Sequence, residues 1–192
     1  MPDPTITNEA TNVTAGKPAV TGAVYRAPLG TTLPTSQNDT LNEAFEPMGY
    51  ISDAGMVNSV SRDRTEIKAW GGDVVKNLQN KKTDTYKMKF IEGLNVEVLK
   101  MAYGDDNVST VTAGLRLRAN AKDLDHSAWV IDQIFDGGDG EKKNRIVIAD
   151  GQPTSIEDIE YKDDAVVGFD TTITCYPSAA LGGDTHQEYR DA

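Results

Sequence analysis

A chain of 192 residues with a formal charge of −11 has the length of one domain, and its single cysteine excludes an intrachain disulfide. The acid is uneven: residues 1–92 hold 10 basic and 11 acidic residues, whereas residues 93–192 hold 9 and 19. Such a chain does not grip nucleic-acid phosphates, which require clustered Lys and Arg, and with no leader pattern or long apolar run we expect a soluble product, made in the cytoplasm, that has no dealings with membrane.

Residues 1–20 carry Pro2, Pro4 and Pro18, many Thr and Asn, and no aromatic, which predicts an arm outside the core. Ala23–Ala27 reads as the first strand, closed by Pro28. The run 29–47 has turn residues but no period, and so long an irregular segment is usually functional or held by a partner. Short strand pieces at 49–51 and 56–57 flank a turn at Asp53-Ala54-Gly55. Gly71-Gly72 then separates extended segments at 65–70 and 74–78, predicting a long hairpin with a polar tip over 62–82. Tyr86, Met88 and Phe90 alternate with Thr85, Lys87 and Lys89, a strand with one buried face.

One short helix follows. Asn95 can cap it, Glu97 sits near its positive end, Val98, Leu99 and Ala102 form its stripe, and Gly104 can close it. Leu115 and Leu117 against Arg116 and Arg118 predict a half-buried strand at 111–119, and Trp129 to Ile131 predict another at 127–135 leading into a glycine turn at 136–141. The last third reads as a three-strand meander. Arg145–Ala149 is apolar on both faces, Asp150-Gly151 supplies a turn, Thr154–Tyr161 has one wet face, and Phe169, Thr171, Ile173 and Cys175 alternate before Pro177 stops the ladder. Cys175 is expected to be a small buried hydrophobe. Roughly eight strands and one helix without βα alternation predict a mainly β fold, an antiparallel sandwich or barrel with one flanking helix.

Catalytic signals are poor. His126 and His186 are scattered and lack Cys or Glu at ligand spacing, no phosphate loop or nucleophile elbow is present, and the single DGGDGE at 136–141 is better read as a turn than as a calcium loop. No enzyme activity, cofactor or metal is expected.

The segments GYISDAG, RDRTEIKAWGGDVVK, YKMKFIEGLNVEVLKMAYGDDNV and RIVIADGQPTSIEDIEYKDDAVVGFDTTITCYP, in that order across residues 21–177, resemble the major tail proteins, or tail tube proteins, of long-tailed bacteriophages. The resemblance implies a tube-forming β-sandwich domain at 21–177, between an arm at 1–20 and a tail at 178–192. It further implies hexameric rings stacked into a virion tail tube that passes the DNA genome at ejection, with tape-measure, tail terminator and distal tail proteins as partners. On that reading the arm, the loop at 29–47, the hairpin and the tail are extensions that stack the rings. Asp158 and Glu160, and then Asp170, are the candidates for an acidic bore. Arg62, Asp63, Arg64, Glu66 and Trp70 are the candidates for contacts between subunits or rings; Trp70 could equally fold back on its own core. A contractile-tail or secretion-system tube subunit, and from another class a soluble β-sandwich module binding glycans or a host surface, stay open as alternatives.

Overall fold

A computed structural model of the chain describes residues 13–19, 23–137 and 140–191. Its elements are β1 (Ala15–Pro18), β2 (Val24–Pro28), β3 (Glu46–Pro47), β4 (Ile51–Lys68), β5 (Val74–Phe90), α1 (Val96–Tyr103), β6 (Val108–Val111), β7 (Gly114–Leu117), β8 (Ser127–Gly137), β9 (Gly140–Ile156), β10 (Phe169–Cys175) and β11 (Gln187–Arg190). The fold is mainly β and antiparallel with one helix. Nine strands form one sheet whose main path runs β3-β2-β8-β9-β10-β5-β4; β1 adds to β8 beyond β2, and β11 adds to β9 beyond β10.

The sheet curls until its two ends share one core. Met48 links them: its backbone N–H donates to Val24 O at 2.9 Å, and two residues later Tyr50 O accepts from Ile91 N–H at 3.0 Å, so the chain steps from the β2 edge to the β5 edge within three residues. Tyr86, Met88 and Phe90 from β5, Trp129 and Ile131 from β8, Ile146 and Ile148 from β9, and Phe169 and Ile173 from β10 fill the interior. α1 lies against this core through Val98, Leu99 and Met101. Its ends follow the sequence: the Asn95 side chain accepts from Glu97 N–H at 3.0 Å, and Gly104, at φ 94°, donates its N–H to Lys100 O at 2.7 Å.

β8 over residues 127–131 and β9 over residues 144–149 are buried on both faces. Ala128 and Val130 point away from the main core and are covered by Phe45, Leu33 and Leu41 of the 29–47 loop, while Val147 and Ala149 are covered by Leu181, Leu33 and Tyr189. The double burial expected for Arg145–Ala149 is therefore present, and its second cover comes from the loop and the C-terminal segment. Both segments, expected as stacking extensions, also serve their own subunit.

Several local expectations are corrected. Asp150-Gly151 does not turn the chain; β9 continues through it, with a break in its register against β8 between the pairs Trp129↔Ile148 and Ser127↔Gly151. The glycine is needed for a different reason: a Cβ there would lie 2.7 Å from Trp129 Cδ1, and Gly151 O accepts from Trp129 Nε1 at 3.0 Å. The strand predicted at 154–161 ends at Ile156, and residues 157–168 form a loop, so β9 and β10 make a hairpin and the third strand beside them is β5. Asp53-Ala54-Gly55 is an irregularity inside β4, between the pairs Ile51↔Phe90 and Met56↔Met88, with Gly55 at φ 71°. The half-buried strand expected at 111–119 is a small separate hairpin, β6 with β7, whose Leu115 and Leu117 stay exposed. Of the arm, residues 1–12 and 20 lie outside the described residues, and Ala15–Pro18 is a strand on β8. Cys175 is buried, and burial pushes its thiol up to about 12.

Candidate assembly surface

β4 and β5 pair from Ile51↔Phe90 to Lys68↔Val74, a hairpin longer than the 62–82 expected. At its base Met56 and Met88 face the core, but from Val57 through Lys82 every residue is exposed. Twelve strand residues from Val57 to Lys68 extend roughly 40 Å at about 3.3 Å each. A two-stranded ribbon with both faces in water is at best marginally stable, so this one needs a partner surface. It also carries material for one: Val57, Val60, Ile67, Val74, Val75 and Leu78 are all exposed along it.

The tip is a tight turn. Ala69 N–H donates to Asp73 O at 2.8 Å and Gly72 N–H to Ala69 O at 3.0 Å; Gly71 and Gly72, at φ 116° and 102°, take conformations that a side chain would resist. Trp70 stands there fully exposed and does not fold back on its own core. Arg62, Asp63, Arg64 and Glu66 lie on the exposed part of β4; Arg62 donates to Gln79 Oε1 at 3.1 Å, and among the described residues none of the four is in an ion pair. Between residues 57 and 82 the bases Arg62, Arg64, Lys68, Lys76, Lys81 and Lys82 outnumber Asp63, Glu66 and Asp73, so a net-acidic chain carries a basic ribbon.

Asp84 fixes where the ribbon leaves the body. It is fully buried, accepts from Asn58 Nδ2 at 2.9 Å and Thr185 Oγ1 at 2.7 Å, and has His186 Nδ1 at 2.7 Å and Lys82 Nζ at 3.7 Å. Burial alone would raise its carboxyl pKa, but the Thr185 and Asn58 hydrogen bonds and the His186 ring outweigh it and hold the group below the usual carboxylate value. One carboxylate thus ties β4, β5 and the C-terminal segment together. On the opposite side of the sheet, Arg145 makes a bidentate pair with Asp132 at 2.7 and 2.8 Å and donates to the carbonyls of Ser36 and Asp39 at 3.2 and 2.6 Å, pinning the 29–47 loop. Arg26, also buried, donates to Ser127 Oγ at 2.9 Å and Asp105 Oδ1 at 2.8 Å, joining β2 to the segment after α1.

The bore candidates are not brought together on one strand face. Asp158 and Glu160 are exposed on the 157–168 loop, and Lys162 holds the Glu160 carboxyl below its usual range across a 2.8 Å contact. Asp170 is on β10, half-buried, with Lys87 Nζ 3.6 Å away; the same ammonium lies 3.2 Å from Glu157. Since Asp170 also faces Lys89 across the ladder, the wet face of β5 and β10 is of mixed sign, and the concentrated acid lies in the loop: Glu157, Asp158, Glu160, Asp163 and Asp164 against Lys162. His126 lies 2.6 Å from Asp150, and among the described residues no cluster of three or more His, Cys, Asp or Glu is placed to hold a metal. No helix among them is long and apolar enough to cross a membrane.

Sequence reasoning missed Asp84, Arg145 and Arg26. A signal existed for two of them: Asp84 has the parity of the buried row Tyr86, Met88, Phe90, and Arg145 opens an apolar run, so each is a charge where the pattern demands burial and hence a paired one. No curated protein matches the chain. A family model described as phage tail tube protein matches residues 8–184.

Proposed function

The chain belongs to the phage tail tube protein family, and from that premise we propose that it assembles with copies of itself into hexameric rings that stack into the tube of a virion tail and pass DNA at ejection. As a member of that family it is a structural component of the tail. The observation that carries the assembly reading is the exposed ribbon at 57–82: it is too long and too apolar to be left in water, and ring stacking gives it a surface to lie on. Its unpaired Arg62, Asp63, Arg64 and Glu66 supply register between copies, since charges at contact rims select orientation more than they add affinity. Among the described residues β3 and β4 leave free edges at the two ends of the sheet, and edge-to-edge closure around a ring removes such edges.

The bore is lined in part by carboxylates, of which Asp158, Glu160 and Asp170 are the candidates. A negative wall keeps phosphate backbones from adhering. The tape-measure, tail terminator and distal tail proteins that set length and cap the ends are the further partners, and the subunit assembles in the host cytoplasm before it enters the virion. The family match favours this function over a soluble glycan-binding module.

Electron microscopy of the purified protein across a concentration series, with and without extracted tail tips as nuclei, tests the reading. Rings and stacked tubes are expected from the full chain, and only monomer from a variant in which residues 60–81 are replaced by a short Asn-Gly turn. A full chain that remains monomeric even with nuclei overturns self-assembly as its function.

A further inference from the structure

Trp70 presents a large aromatic to solvent at the end of a ribbon roughly 40 Å long. It touches nothing in its own chain that would account for it, and aromatics of this kind anchor contacts by filling a pocket on a partner. A pocket of about 390 Å³ opens on the same protein, between the C-terminal end of α1, the segment after β7 and the end of β9. Its volume falls within the roughly 300–1,000 Å³ of clefts that enclose a ligand group. Ala102, Tyr103, Leu124, Ile156 and Ile159 give it an apolar floor.

The charges around the two features are opposite. Glu157 and Asp158 line the pocket together with one base, Lys122, and lead into Glu160, Asp163 and Asp164, five carboxylates against Lys162 within eight residues, all exposed. The strands that carry Trp70 hold six bases against three acids, with Lys68 and Lys76 nearest the tip. A cationic stem would therefore lie along an anionic rim as the indole enters an apolar floor, and the acid-rich loop would repel any copy presented in another orientation.

We infer that this pocket on one copy receives Trp70 of a second copy, so that each subunit carries one knob and one socket at distant places on its surface. The inference rests on the tube reading, and it deepens that reading by naming the socket. A knob and socket at different places make a heterologous contact, which closes into a ring or propagates without end according to the rotation between copies; a Trp70 on a ribbon that leaves the body reaches toward the next ring, where the contact propagates. Asp158 and Glu160 then belong to the contact, and the bore candidate that remains is Asp170.

Complementation between two variants tests it. Trp70→Ala removes the knob and leaves the socket; Ala119→Trp fills the socket from its exposed rim and leaves the knob, with Lys122→Trp as a second filling variant. Each variant alone should keep the wild-type melting temperature and lose tubes, raising the concentration needed for assembly at least tenfold. Mixed in equal amounts, the Trp70→Ala and Ala119→Trp proteins should form a short, finite stack that sediments faster than either alone, because only one junction per pair is competent. Folded Trp70→Ala protein that makes tubes as readily as wild type overturns the proposal while leaving the tube reading intact, and so does a mixture that sediments like its components. Wild-type protein that makes no assembly in the same buffer even with tail-tip nuclei overturns the tube reading, and the knob and socket with it.

Discussion

Asp84 occupies the row that Tyr86, Met88 and Phe90 define on β5, one turn of the pleat from the point where the ribbon leaves the body. Its ionised form is favoured in the folded protein by Thr185, Asn58 and His186, which hold its pKa below the ordinary value of about 3.9. A carboxylate with a depressed folded pKa contributes stability that is complete above the unfolded value and is lost as pH falls through the folded one. Asp84→Asn keeps the shape and removes the charge, so it should lower stability near neutral pH by about 1.5–3 kcal/mol, the range for hydrogen bonds to a charged group. For a chain of this size that is a fall of roughly 3–12 °C in Tm. Melting curves of both proteins from pH 7 to pH 2 should converge as pH drops below about 4; a constant gap would mean that the charge is not what Asp84 supplies.

Among the elements, the 29–47 loop shows how an irregular segment can be part of a core. Phe45, Leu33 and Leu41 bury the outer face of β8, and Arg145 holds the loop by two of its carbonyls. Arg145→Ala leaves Asp132 without its bidentate partner and those carbonyls without a donor, which should cost about 3 kcal/mol. The loss should be local first, so limited proteolysis should cut the variant between residues 29 and 45 well before the wild type, with the ribbon unaffected. The sequence made legible what period and caps encode: β2, β5, β8 and β10, the Asn95-to-Gly104 limits of α1, and the two-faced burial at 145–149. It did not encode the rest in the same way. Asp150-Gly151 has the composition of a turn, and only the approach of Trp129 across the sheet explains it as strand; Ile159 and Tyr161 resemble strand positions, but Ile159 turns in to the core from a loop. At the assembly surface, the hairpin and Trp70 could be read from Gly71-Gly72 and the flanking extended runs, whereas the length of the exposed part depends on where the body ends. That is a tertiary fact.

On the scale of the whole molecule the net charge of −11 is the sum of a basic ribbon and a strongly acidic remainder. In the proposed tube the ribbons would lie between copies, so that neighbours neutralise their charge and the bore sees the remainder. Replacing Asp170 by Lys should therefore slow DNA ejection without changing tube length, measured by dye-reported genome release from reconstituted virions; unchanged kinetics would remove it from the bore. The replacement should not unfold the subunit, since Asp170 keeps a half-open position beside Lys87.

β4 is also an eighteen-residue strand whose outer edge has no partner among the described residues. An edge of that length is ordinarily a template for runaway pairing with any other chain, the first step toward insoluble cross-β aggregates. Three breaks in its register, at 51/56, 63/64 and 67/68, interrupt the flat hydrogen-bonding rail, and Arg62, Asp63 and Arg64 crowd the central one with charge. On the assembly proposed above, many copies of this subunit would be held together before they enter a tube. The same kinks that shape the ribbon for an ordered polymer thus deny it a disordered one, and straightening them, for example by deleting the extra residues at the first bulge, trades a soluble pool for precipitate.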